Sequence, residues 1–182
     1  QICEGDADVF RFEVCAGGEG IIEVRLRDAD GDLDLQGLTL ANALIDSGVK
    51  PGDRVATLAW NGYRHFELYY AISGIGAVCH TINPRLFEDQ ILYIVHHAED
   101  RVLFLETSFL PLVEKLADRL PPDLRFVVMC ATGDLPETGL NVMAYEDLLT
   151  GQPDTIIWPD LDERQASGLC YTSGTTGNPK GV

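Results

Sequence analysis

A short segment near the end of the chain concentrates the residue types that bind phosphate. Residues 171–181 read YTSGTTGNPKG and contain four Ser or Thr hydroxyls, three glycines and one lysine. Glycines allow positive φ and a close approach of the backbone, so that successive N–H groups can surround an anion. The hydroxyls add hydrogen-bond donors, and Lys180 adds a positive charge. The segment therefore predicts a loop that binds a polyphosphate.

This segment does not have the spacing of a Walker A loop. That loop requires a glycine five places after Gly174, followed by lysine and then Ser or Thr. Pro179, Lys180 and Gly181 occupy these positions, so the first and last requirements fail. Pro179 also favours extended geometry at Asn178, which is unsuited to the helix that directly follows a Walker A lysine. We therefore expect the loop to connect two strands.

The other chemically suggestive motifs of the sequence are incomplete. Ser173 lacks the glycine two places earlier that a hydrolase nucleophile elbow requires. Residues 73–76 hold two glycines of a dinucleotide fingerprint, but Cys79 stands in the third position, which favours tight helix-to-strand packing instead. Counted from Asp28, the acidic residues 28–34 begin like a calcium loop, but Leu33 and Thr39 occupy the positions that require glycine and glutamate, so a solvated turn is predicted. The four histidines have no partners at metal-ligand spacing and are interpreted as structural or surface residues.

The elements around the phosphate-binding segment follow from hydrophobic periodicity. From Leu38 onward, apolar residues at helical spacing predict a helix that ends at Gly48, a residue suited to a C-cap. Further helices are predicted over residues 63–75, 87–99, 112–120 and 145–149, and short strands over residues 54–60, 77–82, 101–105, 124–130 and 167–170. The remainder of residues 131–164 is predicted to be a long surface connection. This alternation indicates an α/β fold with a mainly parallel sheet flanked by helices.

Composition restricts the class of protein and its partners. The 182 residues suit about one ordinary domain, and 46% hydrophobic with 23% charged residues is typical of globular chains. Thirteen basic against 29 acidic residues give a net charge of −16, which disfavours nucleic acid and anionic lipid as partners. No apolar run is long enough to span a membrane. Five scattered cysteines without a C-x-x-C pair favour a reducing, cytoplasmic location.

The phosphate-binding segment resembles a highly specific family signature. Residues 172–181 are similar to the phosphate-binding motif of the adenylate-forming, or AMP-binding, superfamily of acyl-CoA synthetases, adenylation domains and luciferases. Upstream motifs extend the resemblance over residues 38–182: Ala41-Asn42-Ala43-Leu44, residues 48–55, Gly76-Ala77-Val78 and residues 82–86. With Asn83-Pro84-Arg85, the motif is most similar to medium- and long-chain fatty-acid CoA ligases.

The resemblance implies a fold and a reaction. The chain would be part of the large N-terminal domain of an enzyme in which a fatty acid or related carboxylate attacks the α-phosphorus of ATP. The acyl-adenylate so formed would then react with the thiol of coenzyme A and release AMP. Magnesium would assist, and Thr172 would face it. Lys180 would act as the catalytic residue by neutralising the departing pyrophosphate. Phosphate contacts are implied at Thr172, Ser173, Gly174, Thr175, Thr176, Gly177 and Lys180.

The chain also departs from the family pattern. The acidic residues 1–37, with weak β-hairpin character at residues 21–26, do not match the usual opening of the family. Position 1 is Gln, and the motifs that bind adenine and ribose, form the hinge and supply the small-domain lysine would come after Val182. We therefore expect residues 38–182 to be a truncated domain of a longer ligase, inactive alone. The alternative is an inactive remnant that acts at most as a binding module.

Overall fold

Helices and strands alternate along the chain in the computed structural model, which describes residues 33–172 and 178–182. The helices are α1 (Leu33–Asp46), α2 (Tyr63–Gly74), α3 (Glu88–Ala98), α4 (Leu110–Leu116) and α5 (Tyr145–Leu149). The strands are β1 (Arg54–Leu58), β2 (Val78–Thr81), β3 (Val102–Leu105), β4 (Arg125–Val128), β5 (Val142–Ala144), β6 (Gly168–Thr172) and β7 (Lys180–Gly181). Single 3₁₀ turns, Thr107–Phe109 and Ala117–Arg119, flank α4.

The seven strands form one sheet in the order β5-β4-β3-β1-β2-β6-β7. The neighbouring pairs from β5 to β6 are parallel, and only β7 runs antiparallel to its neighbour. Parallel neighbours require crossover connections, which α2, α3 and α4 provide between β1 and β4, whereas a loop over residues 129–141 joins β4 to β5. The prediction of a mainly parallel sheet flanked by helices is confirmed.

Helices cover both faces of this sheet because successive side chains of each strand point to opposite sides. On β1, Val55 packs in a buried cluster with Leu40 of α1 and Leu68 of α2. Its neighbour Ala56 packs in a second cluster with Ile94 of α3 and Val113 of α4. Each fully buried aliphatic side chain stabilises the fold by about 1.5–3 kcal/mol. The two clusters hold the strands rigidly at the centre of the molecule.

Helix α1 ends where the sequence predicts but begins earlier. Gly48 has φ +83° and its N–H donates to Ile45 O, while the Val49 N–H donates to Leu44 O. These two bonds form a Schellman motif, in which glycine avoids the steric penalty of a left-handed conformation. The helix starts at Leu33 rather than at Leu38, so the end of the predicted acidic turn is helical. Residues 1–32, including the predicted hairpin, lie outside the described residues.

The prediction of a mere surface connection over residues 131–164 is wrong for β5. Phe126, Val127 and Val128 of β4 pair with the three residues of β5, which forms an edge of the sheet. The tripeptide Val-Met-Ala is too short to show a hydrophobic period, so its strand conformation depends on the neighbour. The short helix predicted at residues 145–149 is confirmed. Helix α4 begins two residues before its predicted start and ends at Leu116, where the 3₁₀ turn takes over.

The two glycines of residues 73–76 do permit close packing, but against a different partner from the predicted strand. A Cβ on Gly74 would lie 2.5 Å from the Trp158 ring, and a Cβ on Gly76 would lie 2.9 Å from the Leu161 side chain. Gln165 Nε2 also donates to Gly76 O at 2.8 Å. The chain therefore passes closely over the end of α2 on its way to β6.

Candidate phosphate-binding site

The phosphate-binding segment connects β6 to β7, two antiparallel neighbours. Tyr171 pairs with Gly181 and Thr172 with Lys180, so the two ends of the loop lie side by side. Reciprocal bonds between Cys170 and Val182, of 3.0 and 2.8 Å, close the ladder. The prediction that the loop connects two strands is confirmed. The predicted phosphate contacts Ser173, Gly174, Thr175, Thr176 and Gly177 lie outside the described residues.

Thr172 and Lys180 are brought together at the ends of the loop. Both are exposed, and Thr172 Oγ1 lies 3.4 Å from Lys180 O, to which it donates a long hydrogen bond. Pro179, directly before the lysine, is buried. Its ring fixes φ, so it restricts the direction from which the backbone reaches Lys180. The Thr172 hydroxyl and the backbone of Lys180 are thus held close together, and both residues are accessible to solvent.

This pair lies at the edge of the sheet where parallel strands have their carboxyl ends. β6 pairs in parallel with β2, with Thr81 opposite Cys170, so both strands end at the same edge. Asn83-Pro84-Arg85 follows β2 there, and Asn83 Oδ1 accepts a bond from the Arg85 N–H at 3.0 Å. Open α/β sheets bind ligands outside the carboxyl ends of their strands. The topology therefore places the loop at the edge where such folds bind ligands.

Tyr171 connects the strand before the loop to helix α3. Its hydroxyl lies 2.7 Å from His97 Nδ1, and its ring centroid lies 5.2 Å from that of His80. Burial raises the pKa of Tyr171, and the nearby Asp100 adds to that effect. No sequence pattern indicates these contacts, because residues 97 and 171 are far apart along the chain. The arrangement fixes the side chain next to Thr172.

His80 and Asp100 form a fully buried pair behind Tyr171. His80 Nδ1 lies 3.0 and 2.8 Å from the two carboxylate oxygens of Asp100. Burial raises the pKa of Asp100. Smaller effects lower it: the hydrogen bond from His80 and the charges of His80 and Arg54. His80 Nε2 has no hydrogen-bond partner among the described residues. The pair holds the His80 ring in one orientation against Tyr171.

A second buried histidine lies under the end of β1. His65 Nδ1 bonds to Trp60 O at 3.0 Å, and His65 Nε2 bonds to Thr57 Oγ1 at 2.9 Å. The carbonyl can only accept, so Nδ1 carries the proton and Nε2 accepts from the threonine. Burial lowers the pKa of His65, against smaller opposing effects of the Trp60 bond and the Glu106 charge. His65 is therefore a neutral structural residue.

The described cysteines differ in exposure, and all three are free thiols. Burial, with a smaller contribution from Cys170, raises the pKa of Cys79 to about 12. Cys170 is exposed, and its sulfur lies 3.2 Å from Thr81 Oγ1. A thiol of raised pKa is a poor nucleophile because the thiolate is the reactive form. Cys79 therefore fills space in the core.

The described residues contain neither a metal-binding cluster nor a helix that could span a membrane. Within residues 33–172 and 178–182, no group of three or more His, Cys, Asp or Glu side chains is arranged to hold a metal ion. The helices of the same ranges include none with the length and apolar character needed to cross a bilayer.

The sequence matches one protein family over most of its length. Residues 31–182 match the family model described as AMP-binding enzyme. The chain therefore belongs to the AMP-binding enzyme family, and the resemblance of its phosphate-binding segment is confirmed.

Relatives with about half of their aligned residues identical are CoA ligases by name. A medium-chain-fatty-acid–CoA ligase of Ectopseudomonas oleovorans is 51% identical, over 83% of this chain and 28% of the relative. A 3-methylmercaptopropionyl-CoA ligase of Ruegeria pomeroyi is 52% identical, over 79% of this chain and 27% of the relative. A long-chain-fatty-acid–CoA ligase of Thermus thermophilus is 49% identical, over 79% of this chain and 25% of the relative. The chain thus spans only about a quarter of the length of these relatives.

Solved structures share the fold. The anthranilate CoA ligase AuaEII, crystallised with anthranoyl-AMP, superposes with a TM-score of 0.75 at 29% identity. The alignment covers 85% of this chain and 30% of the AuaEII chain. A fatty acyl CoA synthetase of Mycobacterium tuberculosis superposes with a TM-score of 0.67 at 21% identity, and the alignment covers 82% of this chain and 27% of the synthetase chain. The second likeness shows the fold alone.

Proposed function

We propose that this chain is the phosphate-binding part of an ATP-dependent, AMP-forming fatty-acid CoA ligase. The observation that carries the proposal is the side-by-side placement of Thr172 and Lys180 at the carboxyl edge of the parallel sheet. Membership of the AMP-binding family and the names of the relatives support the reaction class. The substrate would be a fatty acid or related carboxylate.

Lys180 is the residue proposed to act in catalysis. When the carboxylate attacks the α-phosphorus, negative charge grows on the departing pyrophosphate. An ammonium group already in place stabilises that charge without the reorganisation that water would need. Because Pro179 is buried, the backbone at Lys180 is held before ATP arrives. The residue therefore fits a role in stabilising the transition state.

Thr172 and the glycine-rich residues are proposed to hold the phosphates. The hydroxyl of Thr172, exposed at the other end of the loop, can donate to a phosphate oxygen or offer its oxygen to a hard cation. The residues that would add backbone and hydroxyl donors are Ser173, Gly174, Thr175, Thr176 and Gly177. Holding the β- and γ-phosphates in line with the attacking carboxylate lowers the entropic part of the barrier.

Magnesium and coenzyme A belong to the same proposal. Magnesium commonly keeps waters and phosphate oxygens as ligands and takes only one or two ligands from the protein, so the Thr172 hydroxyl suits it. Bound with ATP, it neutralises phosphate charge and orients the phosphates for displacement. Coenzyme A is proposed as the acceptor of the acyl group because the relatives are CoA ligases by name. A reducing, cytoplasmic location stays a prediction, which the free described thiols support.

The test is substitution of Lys180 in the full-length polypeptide that carries this segment. Lys180→Ala should slow ATP–pyrophosphate exchange by an amount equivalent to about 2 to 4 kcal/mol, as for other preorganised electrostatic groups. Lys180→Arg, bulkier and differently shaped, should recover only part of the rate. Binding of ATP should weaken less than the rate falls, because the charge matters most in the transition state.

The matched control is Lys50→Ala, which removes an exposed lysine from the turn before β1, at the opposite edge of the sheet. Its exchange rate should equal that of the unmodified protein. An unchanged rate in Lys180→Ala would reject the catalytic role of this lysine. No exchange by the unmodified full-length protein with any fatty acid would instead favour the inactive remnant.

A further inference from the structure

We infer that Tyr171 and His97 are positioning residues that fix Thr172 and Lys180 at the phosphate-binding site. The inference rests on the proposed function, which gives those two residues their task. Neither Tyr171 nor His97 would touch ATP in this role. They would act through the backbone of the β6–β7 hairpin.

Two side chains contact Tyr171, and each of them is held in turn by a further side chain. The hydroxyl is held by His97 Nδ1 at 2.7 Å, and the His97 ring meets the tyrosine ring edge-on with centroids 5.8 Å apart. On another side, the His80 ring lies at 5.2 Å and is itself held by the buried Asp100. Tyr93, one helical turn before His97, stacks on His97 at 5.4 Å. The tyrosine is therefore fixed against the rigid core and against α3.

Gly181, on the opposite strand of the hairpin, packs against Tyr171. A Cβ on Gly181 would lie 3.4 Å from Tyr171 Cζ and 3.1 Å from Leu169 Cδ1, so the bare backbone of β7 packs against these side chains. Tyr171 and Gly181 are also paired across the ladder. A displacement of the tyrosine therefore displaces Gly181 and its neighbour Lys180 together with Thr172.

The hydrogen bond to His97 is more important for position than for stability. His97 is exposed, so water can replace the bond and its net contribution to folding is modest. A misplacement of reacting groups by about 1 Å, in contrast, can slow a reaction about a hundredfold. Loss of the bond should therefore affect turnover more than stability.

The test compares Tyr171→Phe and His97→Ala in the full-length polypeptide by ATP–pyrophosphate exchange. Each should lower kcat about tenfold while KM for MgATP changes less than twofold, because placement matters most in the transition state. His97→Asn offers a polar atom close to the position of Nδ1 and should recover most of the rate. The double variant should be no slower than the slower single variant, since both remove one shared bond.

Two controls separate positioning from general damage. His96→Ala removes the adjacent histidine, which bonds instead to Arg119 O at 2.8 Å, and Tyr70→Phe changes an exposed tyrosine on α2. Both should keep the original kcat. Hydrogen exchange gives a readout independent of activity: protection of the Cys170 and Val182 amides should fall in Tyr171→Phe and not in the controls.

The outcomes distinguish the inference from the proposed function. An active parent protein whose Tyr171→Phe and His97→Ala variants keep kcat within twofold would overturn the inference alone. Equal losses in His96→Ala would also overturn it, because a general loss of α3 stability would then explain the effect. An inactive parent protein would overturn the proposed function, and unchanged amide protection in Tyr171→Phe would then reject the anchoring contact as well.

Discussion

At the scale of single residues, His65 shows how a buried polar side chain is tied to one protonation state. Its two ring nitrogens form hydrogen bonds with Trp60 O and with Thr57 Oγ1, and its ring stacks on Tyr69 with centroids 4.9 Å apart. A second proton on Nε2 would face the threonine hydroxyl, which would have to turn, inside a region that disfavours charge. Folding and protonation of His65 therefore oppose each other.

We predict from His65 that acid weakens the fold. The pKa of His65 is lowered by folding, so below its ordinary value of 6.5 the unfolded chain binds a proton that the folded chain does not. The free energy of unfolding should therefore decrease as the pH falls from 7.5 to 5.5. Urea unfolding at several pH values measures this slope. His65→Gln should flatten the slope and the exposed His96→Gln should not; equal slopes in all three proteins would contradict the prediction.

At the scale of elements, two glycines of α1 make a matched pair. Gly48 ends the helix with φ +83°, whereas Gly37 lies inside it, and neither has any atom within 4 Å of a Cβ added to it. Gly48→Ala should lower the free energy of unfolding by about 1 kcal/mol, because alanine is strained in the left-handed region. Gly37→Ala should raise it by about 0.5–1 kcal/mol, because alanine favours a helix interior. Chemical denaturation of both variants checks that the free energy of unfolding changes in opposite directions. If both variants were destabilised, backbone preference would not explain the effect at Gly37.

The sequence predicts elements well where local chemistry decides them. The Schellman end of α1 was predictable because Gly48 suits a left-handed cap. Strand β1 was predictable because a short, mainly apolar segment follows a Pro-Gly turn. Strand β5 was not predictable, since only its pairing with β4 makes it a strand. The residue types and the motif name the residues that we predict to bind phosphate, and that role stays a prediction. The contact of His97 with Tyr171 could not, because it depends on how β6 docks beside β2.

At the scale of the whole molecule, the 182-residue chain alone should not form acyl-CoA. It holds the proposed phosphate-binding loop and spans 25–28% of the length of three CoA ligase relatives. In the proposed reaction, groups that bind adenine, ribose and coenzyme A would have to act together with this loop, because catalysis requires all reactants to be placed at once. Incubation with fatty acid, ATP, magnesium and coenzyme A, compared with heat-killed protein, checks this expectation. Any turnover above that control would show that the segment is a complete catalyst.

The strand order also sets a sequence of events in time. β1 to β4 pair through βα crossovers of ordinary length, but β6 inserts beside β2 through contacts 89 positions apart, such as Thr81 with Cys170. Closing a long loop is entropically unfavourable and contacts that are distant in sequence form slowly. The strands that carry the phosphate-binding loop should therefore be the last to assemble.

Pulsed hydrogen exchange during refolding can follow the Glu106 amide, which bonds to Leu58 O, and the Cys79 amide, which bonds to Ser167 O. The Glu106 amide should become protected first, so that the central strands would be in place before the proposed phosphate-binding loop; simultaneous protection would refute this order.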